Sequence, residues 1–253
     1  MSEVIGGISL ERKIFSIITP TYNCAAKIEK TIESVLSQNK SLFEYIIVDG
    51  LSDDGTLEKI KKNSDEIKLI VGKDNGVYDA MNKGIDIATG KYLYFMGAGD
   101  QLKEGILEKI KTIMPQDNLS FVYGNVYRFD QNRIYDGEFN KHKLNKRNIC
   151  HQAIFYERNI FNLVGKYDFK YGTKADYALN LRCFGCRGIN KIYINEVIAD
   201  YEGFGLSYEK KDGNFLKDRP KLVKECLGNK EYIIFRLRTI FVKIVRKCHL
   251  LIY

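Results

Sequence analysis

The sequence predicts an α/β fold: a single Rossmann-like, mixed but mainly parallel sheet flanked by helices. Two features carry the prediction. Short apolar runs alternate with segments of helical periodicity through residues 14–115, the signature of βαβ units. Acidic residues also stand where those runs end. Asp49 closes Tyr45-Ile46-Ile47-Val48, Asp74 sits in the turn Lys73-Asp74-Asn75-Gly76, and Asp100 follows Tyr92-Leu93-Tyr94-Phe95-Met96 through Gly97-Ala98-Gly99. An open α/β sheet puts its ligand at the carboxyl ends of its strands. Carboxylates gathered there suit a divalent cation and a nucleotide better than a core, where unpaired charge is costly.

Each element has its own signal. Ile14 to Thr19 reads as a first buried strand, stopped by Pro20. Ala25 to Gln38 is helical, with Ile28, Ile32, Val35 and Leu36 on one face. Glu44 to Val48 is the second strand, Asp53-Asp54-Gly55-Thr56 is turn chemistry, and a helix runs from Thr56 to Lys62. Lys68 to Gly72 is a strand. Tyr78 to Ala88 is a helix closed by Thr89-Gly90, Lys91 to Met96 is a strand, and Leu102 to Met114 is a helix ending before Pro115. Beyond this point the alternation weakens. Leu119 to Phe129, Ile154 to Tyr156 and Lys191 to Ala199 read as strands, with one clear helix from Asp176 to Arg187, so a mixed second half packs on the same sheet. The expected organisation is a lead-in at 1–13, a domain at 14–216 whose halves are 14–115 and 116–216, and a basic tail at 217–253.

Composition excludes several classes. The chain has 253 residues, 45% hydrophobic and 28% charged, as an ordinary globular protein does. No run is long and apolar enough to span a bilayer, and the N-terminus lacks the pattern of a signal peptide, so a cytoplasmic setting is expected. The six cysteines are scattered, as in a reduced compartment, and the lone Cys183-x-x-Cys186 lacks the second pair that a zinc site needs. The net charge of +8 is local: residues 217–253 hold ten Lys/Arg against three acids, and the rest is near neutral. A nucleic-acid binder spreads its charge over the fold, so no nucleic-acid partner is expected.

A set of short segments, taken together, resembles family 2 glycosyltransferases of the GT-A fold. They are Ser16-Ile17-Ile18-Thr19-Pro20-Thr21-Tyr22-Asn23, Ile47 to Thr56, Asp74-Asn75-Gly76-Val77-Tyr78-Asp79-Ala80-Met81-Asn82-Lys83-Gly84, Ala88 to Tyr92, Gly97-Ala98-Gly99-Asp100, His151-Gln152-Ala153 and Ala175-Asp176-Tyr177. Their order and spacing carry the likeness across roughly residues 14–207, and it is strongest to the branch that builds bacterial surface polysaccharides of the colanic-acid and O-antigen type. The resemblance implies an inverting transferase that uses a nucleotide-sugar donor, a UDP-sugar above all, and Mg²⁺ or Mn²⁺. It implies a glycan or polyprenyl-linked acceptor. By the same resemblance Pro20, Thr21 and Tyr22 line the nucleotide pocket, Asp49 bonds the base, and Asp74, Asn82 and Lys83 face the donor. Asp100 holds the metal and Asp176 is the catalytic base. His151 contacts the leaving phosphate or the acceptor. The family often has Asp-x-Asp-Asp where this chain has Gly97-Ala98-Gly99-Asp100, so one carboxylate stands where relatives have more.

Each residue also has a plainer reading. Asp176 suits the first turn of a helix, where the dipole favours an anion. Asp49 suits the capping of the next turn, Tyr22 suits packing, and His151 suits a core position with its ring nitrogens bonded. The Tyr201-Glu202-Gly203-Phe204-Gly205-Leu206-Ser207 segment resembles a loop that closes over the donor, or is a linker. For the whole chain, the alternatives are an inactive GT-A-fold protein that binds sugar or nucleotide and a sugar-phosphate nucleotidyltransferase. The latter should carry a Gly-rich basic loop after strand one, where this chain has Thr-Pro-Thr-Tyr-Asn.

The tail reads as an amphipathic helix over Tyr232 to Tyr253. Helical spacing puts Arg236, Thr239, Lys243, Arg246 and Lys247 on one face, with Ile233, Leu237, Ile240, Phe241, Ile244, Cys248 and Leu251 opposite. Such a helix suits the surface of an anionic membrane, here the inner leaflet, with the protein peripheral on it. The alternative is that the apolar face packs on the body or on a second subunit.

Overall fold

A computed structural model describes residues 13–115, 119–203 and 212–249. Residues 1–12, 116–118, 204–211 and 250–253 lie outside the described residues, and with them most of the Tyr201 to Ser207 segment expected to close over the donor.

The first half follows the sequence closely. Strand β1 (Phe15–Thr21), helix α1 (Ala25–Leu36), strand β2 (Phe43–Asp49), helix α2 (Thr56–Lys61), strand β3 (Ile67–Val71), helix α3 (Val77–Ile87) and strand β4 (Tyr92–Phe95) form in succession. The expected helix from Leu102 is shorter. Gln101–Leu102 is instead a two-residue strand, β5, and helix α4 (Ile106–Ile113) starts after Gly105, whose positive φ of 63° breaks the chain direction. The second half comprises β6 (Ser120–Arg128), β7 (Arg133–Tyr135), α5 (Lys141–Lys146), β8 (Ile154–Glu157), α6 (Ile160–Val164), α7 (Ala175–Gly185), β9 (Asn190–Tyr201), α8 (Gly213–Leu227) and α9 (Asn229–His249).

The strands make one sheet in the order β3-β2-β1-β4-β8-β6-β9-β5, with β7 paired to β6. Pairing is parallel from β3 through β2 and β1 to β4, and again between β6 and β9. It is antiparallel for β8 on β4 and on β6, for β5 on β9 and for β7 on β6. Period-two alternation gives the central strands two buried faces. Ile18, Ile46, Val48, Phe95, Phe121 and Tyr156 face one core, roofed by α3, α7 and α8. Phe15, Ile17, Tyr45, Ile47, Tyr94 and Phe155 face the other, under α1 and α4. Helix α8 belongs to the first core through Phe215, Val223 and Leu227, so a tail boundary at 217 falls inside an integrated helix.

Gly84 lets α3 lie close on β1. A Cβ there would stand 2.5 Å from Cγ2 of Ile18, which is fully buried. Glycine in a helix interior normally gains up to ~1 kcal/mol on replacement by alanine. At this site the sign should reverse, because Ile18 has no free volume to move into, and Gly84→Ala should cost about 1–3 kcal/mol. Denaturant unfolding checks this, and a stabilised variant would contradict the close approach.

Candidate active site

The carboxyl ends of β1, β2 and β4 converge as the α/β topology requires. The β1–α1 and β2–α2 loops are zipped together. Asn23 N–H donates to Ser52 Oγ at 2.9 Å, and Asp53 N–H donates to Asn23 Oδ1 at 3.0 Å. Asp54 and Thr56, which look like local turn residues in the sequence, also serve the start of α1. Asp54 Oδ2 accepts from Ala25 N–H, and Thr56 Oγ1 accepts from Cys24 N–H, both at 2.9 Å. They satisfy backbone donors that the first turn of a helix leaves open.

One cavity of about 410 Å³ opens above this edge, with Pro20, Thr21, Tyr22, Asp74, Asp100 and His151 in its wall. The Tyr22 ring is 66% exposed at the mouth, so it is not a packing residue. Gly50 makes room beside it: a Cβ there would meet Asp74 Oδ2 at 2.7 Å and the Tyr22 ring at 3.3 Å. An aromatic face and a carboxylate thus frame a slot of the kind that takes a nucleoside.

Asp100 lies deeper and is 4% exposed. Its Oδ2 accepts from Gln152 Nε2 at 2.7 Å and its Oδ1 from Glu202 N–H at 3.1 Å, while Thr31 Oγ1 donates to its carbonyl at 2.8 Å. Burial pushes its carboxyl up to about 6, against the hydrogen bonds from Glu202 and Gln152 and the charge of His151. In the same wall Lys27 bonds Glu202 at 2.7 Å, and Lys30, outside the cavity lining, bonds it at 3.1 Å. Burial opposes charge on Glu202, but these two ammonium groups outweigh it and hold the carboxyl below its usual range.

A second cavity of about 710 Å³ adjoins the first, and Tyr78, His151, Gln152, Thr173 and Tyr201 line both. Asp176 stands in the second. It is in the first turn of α7 and also lines the cavity, so the capping and site readings coexist. Its Oδ2 accepts from Asn148 Nδ2 at 2.8 Å and its Oδ1 from Tyr177 N–H at 2.7 Å, which fixes the carboxylate with its side chain 14% exposed. His151 Nδ1 is 3.8 Å from Asp176 Oδ2, and His151 Nε2 is buried with no partner among the described residues. A histidine serving only the core would have that nitrogen bonded. Burial, then the charge of Asp176, pushes the neighbouring Tyr78 hydroxyl well up.

The family model for glycosyl transferase family 2 matches residues 16–198, a span that holds Tyr22, Asp74, Asp100, His151 and Asp176. The chain belongs to this family. It is 40% identical over 215 residues to the PGL/p-HBAD biosynthesis glycosyltransferase of Mycobacterium bovis (strain BCG / Pasteur 1173P2), covering 82% of this chain and 84% of that one. It is 29% identical over 203 residues to the Escherichia coli UDP-Glc:alpha-D-GlcNAc-diphosphoundecaprenol beta-1,3-glucosyltransferase WfgD, covering 74% of this chain and 76% of that one. Among solved structures, S. aureus TarS 1-349 in complex with UDP superposes with a TM-score of 0.67 at 15% identity, covering 83% of this chain and 64% of that one. The fold is the GT-A type, and the protein is a glycosyltransferase whose relatives serve bacterial surface glycans.

Three site expectations need correction for this transferase. Asp49 is fully buried and does not line the cavity. Its oxygens accept from Thr21 Oγ1 at 2.7 Å and from Ser52 N–H and Oγ at 2.8 and 2.7 Å, so it caps the following turn and braces β1. Asn82 turns away from the donor side to clamp Tyr167, donating to its carbonyl at 2.8 Å and accepting from its N–H at 3.1 Å. Lys83 bonds the Lys73 carbonyl at 2.6 Å and lies 3.6 Å from Asp79. The sequence reading also passed over Gln152, Lys27, Asn148 and Tyr78. Tyr78 and Gln152 stand in the family-like segments without a role of their own, Lys27 shows only as a member of an amphipathic helix, and Asn148 acts through Asp176, distant in sequence. Asn82→Ala should lower stability by about 1–3 kcal/mol by orphaning the Tyr167 backbone and leave nucleotide affinity unchanged. A large loss of nucleotide affinity from a folded variant would return Asn82 to the donor site.

Proposed function

We propose that this transferase inverts the anomeric centre as it moves a sugar from a nucleoside diphosphate donor, a UDP-sugar, to a hydroxyl of a glycan or lipid-linked acceptor during synthesis of a bacterial surface polysaccharide. The observation that carries the reading is the pair of cavities meeting at His151, with Asp100 in one and Asp176 in the other. A TarS structure holds UDP, and the WfgD name specifies a UDP-Glc donor and a diphosphoundecaprenol-linked acceptor, which supports the same classes here.

In this reading the base stacks on Tyr22 beside Asp74, and the diphosphate points to Asp100 and Lys27. The acceptor hydroxyl lies at Asp176. Its oxygen bonds to the anomeric carbon as the bond from that carbon to the phosphate oxygen breaks, and its proton passes to the Asp176 carboxylate. One base and one displacement give inversion. Asn148 and the Tyr177 N–H hold the carboxylate in place for this transfer. His151 Nε2, which lacks a partner, suits the departing phosphate.

A divalent cation, Mg²⁺ or Mn²⁺, fits as a co-ligand of the donor rather than in a protein cage. No group of three His, Cys, Asp or Glu among the described residues is placed to hold one, and both Asp100 oxygens already accept hydrogen bonds. Asp100 would be its protein anchor, with phosphate and water oxygens completing the shell. Bound there, the ion would neutralise charge on the departing diphosphate. Asp176→Asn should cut transfer by about 10²–10⁴-fold while calorimetric UDP affinity stays unchanged. Turnover close to that of the parent protein would remove Asp176 from this role.

Helix α9 supports peripheral attachment to an anionic membrane. No helix among the described residues is long and apolar enough to cross one. α9 meets the body through Glu231, Tyr232 and Phe235, which leaves Ile233, Leu237, Phe241 and Ile244 exposed, Leu237 and Phe241 at 62% and 66%. This disfavours packing of the apolar face on the body. Residues 229–249 hold six Lys/Arg and one Glu, so pairing with a second copy would set like charges together, whereas lipid phosphates would offset them. The protein should co-sediment with phosphatidylglycerol vesicles, less so at high salt, and Leu237→Gln with Phe241→Gln should weaken this at least about tenfold. Equal sedimentation of the double variant would overturn the attachment.

A further inference from the structure

The acceptor cavity does not end at Asp176. It shares Leu216 and Arg219 with a groove of about 480 Å³ between α8 and α9, whose wall includes Pro220, Phe235, Arg236 and Ile240. That groove runs out at the exposed apolar stripe of α9. From the junction outward, the chemistry passes from a carboxylate to cations to an apolar surface.

Arg219 is the pivot of this path. Its Nη2 donates to the Asn145 carbonyl at 2.9 Å and contacts the Tyr177 hydroxyl at 3.1 Å. Its guanidinium carbon lies 5.2 Å from the Tyr177 ring centre, 5.9 Å from that of Phe215 and 5.2 Å from that of Phe235. Its Nε is buried with no partner, and among the described residues no carboxylate is in ion-pair distance; the nearby Asp218 faces Lys170 at 3.7 Å. The charges of Arg219 and Arg238 also pull down the Tyr177 hydroxyl, though burial pushes it up more. Arg236 adds a cation at the groove, where its Nη1 is 3.2 Å from the Tyr232 hydroxyl. A guanidinium caged by three rings has lost much of its water without gaining a counter-charge. An anion entering the cavity would supply one, through the strong geometry that guanidinium groups offer phosphates.

We propose that Arg219, with Arg236 at the groove, binds the phosphate of an acceptor whose sugar lies at Asp176 and whose apolar chain runs between α8 and α9. The ligand class is a lipid-linked saccharide phosphate or diphosphate. This rests on the transferase reading above and specifies its acceptor: hydroxyl end, anionic link and apolar end match the order of base, cations and apolar groove.

The test is calorimetric titration of farnesyl diphosphate, farnesol and inorganic pyrophosphate into the full chain held at saturating UDP, so that the donor cavity is closed to pyrophosphate. Farnesyl diphosphate should bind most tightly. Arg219→Gln should weaken it at least about tenfold, as expected for one charged hydrogen-bonding partner, and should leave the weak farnesol binding as it was. Arg219→Lys keeps the charge but loses the planar fork, and should bind more weakly than the parent and more tightly than Arg219→Gln. Arg236→Gln, an exposed change that does not threaten folding, should weaken farnesyl diphosphate as well. Equal affinity for pyrophosphate and farnesyl diphosphate would overturn the lipid assignment and leave a free-phosphate site. Unchanged affinity in both Gln variants would overturn the site. If UDP itself fails to bind, the donor reading fails separately, and the titrations proceed on the UDP-free chain.

Discussion

A carboxylate removed from water must be solvated by the protein or give up its charge. Asp100 meets that demand with groups from two distant stretches of chain, and a third holds its backbone. Gln152 comes from the turn before β8, the Glu202 N–H from the end of β9, and Thr31, from α1, holds the Asp100 carbonyl. The Glu202 side chain then reaches back to Lys27 and Lys30 on α1. Hydrogen bonds to one buried residue therefore join the parallel first half of the sheet to the mixed second half. The same bonds fix where the two cavities meet. Burial wins over these bonds in raising the carboxyl to about 6, and this leaves Asp100 responsive to any positive charge brought in with a donor.

Elements set by local period were legible in the sequence. Alternation and helical spacing gave β1 to β4 and the helices between them to within a few residues, because each of those segments is buried in the simple pattern that its period requires. The two-residue β5 was not legible, since its identity depends on pairing with Ala199 and Asp200 of β9. α5 and α6 are six and five residues long, too short to show a period.

At the site, the divide is between residues whose role is local and residues whose role is set by a partner. Tyr22, Asp74, Asp100, His151 and Asp176 lie at the ends of elements, and topology alone carries them to the cavities. Asn82 and Lys83 sit on a helix whose rotation decides which way they face. The Tyr167 backbone, more than eighty residues away, claims the Asn82 amide. Asp49 ends its strand as expected, but with Thr21 and Ser52 so close its carboxylate is consumed before a ligand arrives. Gln152 and Asn148 are the converse case: neutral amides with no distinctive spacing, whose importance lies in the charges they hold.

Those neutral amides also bear on how the barrier is lowered. Asp176 sits in the first turn of α7, and hydrogen bonds from Asn148 and the Tyr177 N–H fix where its oxygens point. In the proposed transfer this orientation is set before the acceptor arrives, so the proton of the attacking hydroxyl has one prepared acceptor. In that reading charge develops on the other side of the anomeric carbon, where the diphosphate departs. The cations at Lys27, the unpartnered His151 nitrogen and any metal held at Asp100 belong to that side. In the proposed reading the site is asymmetric: Asp176 orients the acceptor and takes its proton, and the other cavity stabilises the charge that develops in the transition state.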